Sequence, residues 1–233
     1  MLEVQHLRAW YGKAQILFDV SLNVGAGECV ALMGRNGAGK STTMKAIMGL
    51  LARRTGRLSF DEHLISDLAP YQISRLGLGW VPEDRRIFTE LSVRENLEIG
   101  RQPPREGTPL WTLEKLFALF PNLAELIDRP GGRTSGGEQQ MLTIARTLMG
   151  NPRLILLDEP SEGVAPLIVE QMARMILALK EQGLAILLSE QNLHFARLVC
   201  DRAVVLEKGQ VQFTGTMDAL LNDDVVQRTY LSV

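Results

Sequence analysis

Cysteine is nearly absent from this chain: Cys29 and Cys200 are the only two in 233 residues. Two thiols so far apart in sequence argue against a disulfide framework and fit a reducing compartment. A membrane-spanning segment is also missing, since no apolar run approaches the ~20 residues needed to cross a bilayer. The beginning does not read as a secretory signal: MLEVQHLRAWYG places Glu3 and His6 where such a signal needs an unbroken apolar stretch. Charge of one sign is not in excess. Lys and Arg number 25 against 27 Asp and Glu, a net of -2. That balance excludes the broad basic field that draws nucleic acid.

What the chain does have is a hydrophobic share of 45%. This is enough for the core of one large domain, or of a domain with a small insertion. Short apolar strand signals recur at Val30–Met33, Leu154–Leu157, Ala185–Leu188 and Ala203–Leu206. Helix-period segments separate several of them, at Lys40–Leu51 and Leu167–Gln182. In the second, Leu167, Met172, Met175, Ile176 and Leu179 fall on one side. Buried strands alternating with helices predict an α/β fold with a mainly parallel sheet. The first sixty residues alternate more, in LEVQHLRAWY, ILFDVSLNV and GRLSF, with turns expected at Gly25–Gly27 and Arg54–Gly56. They predict an antiparallel β layer beside the main sheet. Residues 86 to 150 carry helix signals, including LEKLFALF at Leu113–Phe120, and read as an inserted helical segment. Gln102–Pro109, with three prolines, reads as a surface loop.

Gly34–Thr42 reads GRNGAGKST after the apolar strand CVALM. It fits the G-x-x-x-x-G-K-[ST] pattern of a phosphate loop. Glycines let such a loop curl until successive N–H groups face phosphate oxygens, which makes Asn36, Gly37, Ala38, Gly39 and Thr42 candidate contacts. Lys40 supplies a point charge at the β- and γ-phosphates, and the Ser41 hydroxyl can join the shell of Mg²⁺. The alternative is a glycine-rich turn that matches by chance; a strand before and a helix after argue against it.

LILLDE, at Leu154–Glu159, brings Asp158 to the end of an apolar strand, where α/β sheets bind ligands. Asp158 can hold Mg²⁺, and Glu159 can orient or deprotonate a water. TSGGEQQ, at Thr134–Gln140, precedes an apolar-striped helix. Ser135, Gly136 and Gly137 form either an anion-binding helix start or an ordinary serine N-cap.

Together these motifs resemble those of the ATP-binding-cassette ATPases, over essentially the whole chain. GRNGAGKST is similar to the family's phosphate loop, TSGGEQQ to its signature and LILLDE to its second acidic motif; Tyr11 in WYGKAQIL corresponds to the aromatic that stacks on adenine. The resemblance implies a P-loop NTPase core of residues 1–85 and 151–233, including the β layer, with a helical subdomain at 86–150, all within one domain spanning 1–233. It implies Mg-dependent hydrolysis of ATP sandwiched in a head-to-tail dimer, with a second copy or a related ATPase as partner. It also implies multi-spanning permease subunits, an extracytoplasmic solute-binding protein acting indirectly, and a place in the cytoplasm on the inner face of the cell membrane.

Four positions depart from the family's commonest pattern. Glu83, in GWVPEDRRIF, takes the place of a glutamine and is a candidate metal ligand. Thr134 replaces a leucine, and Ala165, in SEGVAP, an aspartate. Gln191, in SEQN, takes the place of the switch histidine; its amide can donate to a γ-phosphate oxygen but carries no charge. His194 lies three residues on and reads as a surface or packing histidine. The forms VPEDRRIF, SEGVAP and SEQN resemble the ATPases of branched-chain or other hydrophobic amino-acid importers, near a branch for urea or short amides. A nucleotide-driven dimerising switch with weak hydrolysis is the competing expectation. Ile87, Phe88 and Leu91 are candidates for lining a groove for a permease helix, with Arg85 and Arg86 as surface charges or partner contacts.

Overall fold

The computed structural model describes residues 1–231. In chain order the strands are β1 (Leu2–Tyr11), β2 (Ala14–Val24), β3 (Cys29–Met33), β4 (Arg53–Phe60), β5 (His63–Leu64), β6 (Leu78–Val81), β7 (Leu154–Asp158), β8 (Ala185–Glu190), β9 (Arg202–Glu207) and β10 (Gln210–Thr216). The helices are α1 (Lys40–Ile47), α2 (Pro70–Leu76), α3 (Val93–Ile99), α4 (Leu113–Leu119), α5 (Pro121–Glu125), α6 (Gly136–Leu148), α7 (Pro166–Glu181), α8 (Leu193–Val199), α9 (Met217–Leu221) and α10 (Asp224–Val226). Among these residues no helix is long and apolar enough to cross a membrane.

A six-stranded sheet runs in the order β10-β9-β3-β8-β7-β6, parallel except for the β9–β10 hairpin. Its central strands are buried on both faces, which explains their continuous apolar runs. Alternation divides their side chains between two cores. Cys29, Ala31 and Met33 of β3, with Ile155 and Leu157 of β7, pack against α3 to α8. Val30 and Leu32, with Leu154 and Leu156, pack against α1 and the second sheet. That second sheet is antiparallel, in the order β2-β1-β4-β5.

Three local expectations change. The turn expected at Arg54–Gly56 lies inside β4. Gly56 opposes a bulge at His6 in β1, where the chain turns to positive φ. Arg54 is drawn inward: its guanidinium donates to the carbonyls of Ala46 at 2.6 Å and Ser66 at 2.7 Å. The helix expected to reach Leu51 stops at Ile47. Gly49 adopts φ 74, and the N–H groups of Gly49 and Leu50 bond back to Ala46 and Lys45, a Schellman closure. In α7, Met172, Met175, Ile176 and Leu179 are buried as expected, but Leu167 is exposed in the first turn.

Between residues 86 and 150 the chain holds α3 to α6 and no strand. The loop at Gln102–Pro109 is tied down by Asn151, which is buried at φ 49. Its amide donates to the carbonyls of Gln102 at 2.9 Å and Pro103 at 3.3 Å, and accepts from the Trp111 N–H at 2.8 Å.

The β9–β10 turn locks the two sheets to the phosphate loop. The Gly209 N–H donates to Ala38 O and its carbonyl accepts from Phe18, both at 2.8 Å. A Cβ on Gly209, at φ 75, would lie 1.8 Å from the Ile16 carbonyl oxygen. Gly183 has a similar φ of 85 but open space around it. Gly209→Ala should therefore lower unfolding stability by about 3 kcal/mol and Gly183→Ala by about 1 kcal/mol. Urea unfolding of the two variants measures the difference.

Candidate functional site

The site forms where β3, β7 and β8 end. β3 leads directly into GRNGAGKST, and α1 begins at Lys40. Two glycines there are obligatory. A Cβ on Gly34, at φ 150, would stand 2.5 Å from the Leu206 carbonyl oxygen, and one on Gly39, at φ 111, 2.8 Å from Leu17 Cδ2. The curl brings the loop carbonyls around Lys40, whose side chain is 3% exposed. Its Nζ donates to Gly34 O at 2.7 Å and Arg35 O at 3.1 Å, and pairs with Glu159 Oε1 at 3.0 Å. All three protons of the ammonium are thereby used.

Ser41 Oγ donates to Asp158 Oδ1 at 3.0 Å, and Ser189 Oγ to the same oxygen at 2.8 Å. Burial pushes the Asp158 carboxyl above its ordinary range, against the pull of these two hydroxyls. Next to it, Glu159 sits at φ 45, held by its N–H bond to the Ser189 carbonyl at 3.1 Å. Positive φ in a non-glycine residue is strain of the kind found at functional sites. Gln191 Nε2 donates to Glu159 Oε2 at 3.4 Å. Burial works to raise the Glu159 carboxyl, but hydrogen bonds from Glu162 and Lys40 hold it below its usual range. Glu162 carries the complementary change. Its hydrogen bond to Glu159, with burial and the nearby charges of Glu159, Glu83 and Glu190, raises its pKa to about 7.

A cavity of about 420 Å³ opens over this arrangement. Tyr11 stands at one end, exposed at the tip of β1; Lys40, Ser41 and Thr42 form the floor; Glu83, Glu159 and Glu162 close the acidic side. Asn36, Gly37 and Gly39 also line it. Trp10 turns away from Tyr11 and stacks under Arg53, 4.4 Å from the guanidinium carbon. Among the described residues no three His, Cys, Asp or Glu side chains converge to hold a metal by themselves. The Ser41 hydroxyl and Asp158 carboxylate are a donor pair that suits Mg²⁺ when phosphate and water complete the shell.

Other candidates lie outside the cavity. The Ala38 side chain is buried in the core beneath the loop, and its N–H bonds to the Arg35 carbonyl at 3.1 Å. Ser135 caps α6 in a reciprocal box with Glu138, at 3.3 Å to the Glu138 N–H and 2.6 Å from the Ser135 N–H to Glu138 Oε2. With Gly136 and Gly137 it forms a helix start that lines no part of this chain's nucleotide cavity. His194 is an exposed residue in the first turn of α8.

Sequence reasoning missed Ser189 and Glu162. Each lies inside a quoted motif, Ser189 in SEQN and Glu162 in SEGVAP, and the signal available was their polarity at a strand end or in a tight turn. Of the two arginines expected as surface charges or partner contacts, Arg86 is an exposed surface charge, whereas Arg85 is half-buried against internal groups. The Arg85 guanidinium lies against Gly136, where a Cβ would meet Nη1, and the Arg85 carbonyl accepts from Thr143 Oγ1 at 3.0 Å. Arg86 pairs with Asp84 at 2.9 Å and lies 5.4 Å from the centre of the Trp80 ring.

Residues 17–162 match the family model for the ABC transporter ATPase domain, described as ABC transporter. The chain is 41% identical to the high-affinity branched-chain amino acid transport ATP-binding protein BraG of Pseudomonas aeruginosa, over 99% of both chains. It is 36% identical to the lipopolysaccharide export system ATP-binding protein LptB of Haemophilus influenzae, over 99% of this chain and 97% of that one. Among solved structures, an ATP-binding subunit of an ABC transporter superposes with a TM-score of 0.83 at 32% identity, covering 98% of this chain and 92% of that one. The ADP conformation of the cassette MJ1267 gives 0.81 at 29%, covering 98% and 97%. A phosphate loop with a buried lysine, an acidic pair at the end of β7 and these full-length likenesses lead to one conclusion: the chain belongs to the ABC transporter family, as an ATP-binding-cassette ATPase.

Proposed function

We propose that this chain hydrolyses ATP to energise a membrane importer for branched-chain or other hydrophobic amino acids. The observation that carries the substrate class is the full-length identity of 41% with BraG, above the 36% with the export ATPase LptB. Urea or short amides are chemically adjacent cargoes within the same reading.

The chain's own residues account for each part of the reaction. Tyr11 offers a flat face for the adenine ring. Loop N–H groups and the start of α1 meet the phosphates. Lys40 reaches the β- and γ-oxygens by giving up Glu159, with which it now pairs at 3.0 Å. That exchange frees the Glu159 carboxylate to position and deprotonate the attacking water, so that nucleotide entry arms the base. Gln191, 3.4 Å from Glu159, orients it and can donate to the γ-phosphate. Ser41 and Asp158, with Glu83 near, would hold Mg²⁺, which supplies charge neutralisation across the β- and γ-phosphates.

Ser135, Gly136 and Gly137 point to a second cassette, either a copy or a related chain, whose nucleotide they would cover. A separate groove of about 550 Å³ is lined by Trp80, Phe88, Ile99, Arg75 and Arg146. It suits a short helix of a multi-spanning permease subunit at the inner face of the membrane, through which an extracytoplasmic solute-binding protein would act. Of the three residues expected in that groove, Phe88 lines it, whereas Ile87 and Leu91 do not, and Ile87 packs against the core. The departures at Glu83, Ala165 and Gln191 keep one second reading, a dimerising switch that turns over slowly.

Glu159→Gln should retain ATP binding and lower steady-state Mg-ATP turnover by on the order of 10²–10⁴-fold. Unaltered turnover in the variant would remove Glu159 as the base. Binding without turnover in the unsubstituted chain would favour the switch.

The Glu162 pKa of about 7 gives a pH prediction. Below pH 7 Glu162 is protonated and the cavity carries one negative charge fewer; above it the added charge opposes the phosphates. In Mg-free solution ATP should bind more weakly as pH rises from 6 to 8, and Glu162→Gln should flatten that dependence. Titration calorimetry on both proteins, compared at each pH so that the nucleotide's own ionisation cancels, measures it.

A further inference from the structure

β8 ends on Glu190, which is only 2% exposed and follows the buried run AILLS. A carboxylate at a strand end is ordinarily solvated, and burying one costs free energy unless donors meet it. Here each oxygen meets a main-chain N–H from a different loop. Oε1 accepts from Ser161, in the turn after β7, at 3.2 Å. Oε2 accepts from Asn192, the N-cap of α8, at 3.3 Å. Burial pushes the Glu190 carboxyl above its ordinary range, and the hydrogen bonds from Ser161 and Asn192 oppose that rise.

The neighbours of these two donors give the arrangement its purpose. Ser161 directly precedes Glu162, and Asn192 directly follows Gln191. Glu162 and Gln191 both hydrogen-bond to the Glu159 carboxylate. The main chain of Glu159 hangs from the same strand end, through its N–H bond to the Ser189 carbonyl. Two residues that flank the carboxylate of Glu159 are thus tethered, one residue away, to a single buried side chain. Glu190 itself does not line the nucleotide cavity, so any effect it has on the reaction passes through these neighbours.

We propose that Glu190 is a positioning residue: by holding the Ser161 and Asn192 N–H groups on one carboxylate, it fixes the spacing of Glu162 and Gln191 and so the orientation of Glu159 between them. The role rests on the reading of Glu159 as the base. When Lys40 passes from Glu159 to a phosphate, the carboxylate loses its cation, and the two flanking contacts are left to keep it turned toward the water. Without the shared carboxylate the turn after β7 and the start of α8 would move independently, and the base would lose its alignment.

The test uses Glu190→Gln, which keeps the shape but replaces one acceptor oxygen with an amide NH₂ that cannot accept from an N–H. The kcat for Mg-ATP should fall about 10-fold while KM stays within about 2-fold, because the substitution touches no group in the nucleotide cavity. Amide hydrogen exchange should quicken in the segment 159–165, in 190–195, or in both. In a Gln191→Ala background the further loss from Glu190→Gln should shrink below about 3-fold, since a group it positions is already gone. A merely destabilising substitution would instead multiply freely with Gln191→Ala. Glu190→Asp keeps both acceptors on a shorter arm and should show the same split at smaller size; it carries the test if urea unfolding shows Glu190→Gln to be unfolded. Exchange unchanged in both segments overturns the tether, with or without turnover. Unchanged kcat, or a loss that multiplies fully with Gln191→Ala, overturns the positioning role. The base reading fails separately, through unaltered turnover in Glu159→Gln.

Discussion

The buried ion pair between Lys40 and Glu159 is the contact on which the site depends. It joins the loop after β3 to the residue after β7, and both side chains are almost fully withdrawn from water. Burying two charges costs several kcal/mol per ion unless each is matched. Here the lysine is matched by two loop carbonyls and the glutamate by Gln191 and Glu162. The pair therefore sets the electrostatics of its neighbours. A carboxylate already committed to Lys40 leaves Glu162 to hold a proton near neutral pH. A phosphate that takes over the lysine shifts every one of these balances together.

The sheet makes that pair possible. Because β3, β7 and β8 are parallel neighbours in register, Met33 pairs with Glu190 and Asp158 with Ser189. Three loop starts therefore lie side by side at one sheet edge. Alternation into two cores fixes each strand from both faces, so the loop positions cannot slide without turning an apolar row outward. The strain at Glu159, with its positive φ, is carried by this frame.

Much of this was legible in the residues, for identifiable reasons. Central strands are buried on both sides and appear as unbroken apolar runs, so β3, β7, β8 and β9 were visible. β6 was not, because Leu78–Val81 is four residues long and contains Gly79. β10 was not either; it alternates at a sheet edge and lacks a solid apolar run. The phosphate loop, Asp158 and Glu159 were found because the chemistry needs those residue types in a fixed local order. Glu162 was hidden because its significance comes from the carboxylates around it, brought near by three different strand ends. Arg54 was hidden for a related reason: a charged residue in an expected turn reads as solvated, yet it closes the carbonyl end of α1.

Asn151 carries a consequence for what this chain's sequence can become. The position asks for two things at once. Its backbone lies at φ 49, which glycine, asparagine and aspartate tolerate best. Its side chain must both donate, to Gln102 and Pro103, and accept, from Trp111. Glycine meets the first demand and has no side chain for the second. Ionised aspartate can accept but has nothing to donate. Glutamine has both groups, set one methylene further out on a backbone less suited to the left-handed region. The alphabet at this site has effectively one letter, while the loop it fastens is free to vary, because the bonds it receives are to main-chain atoms.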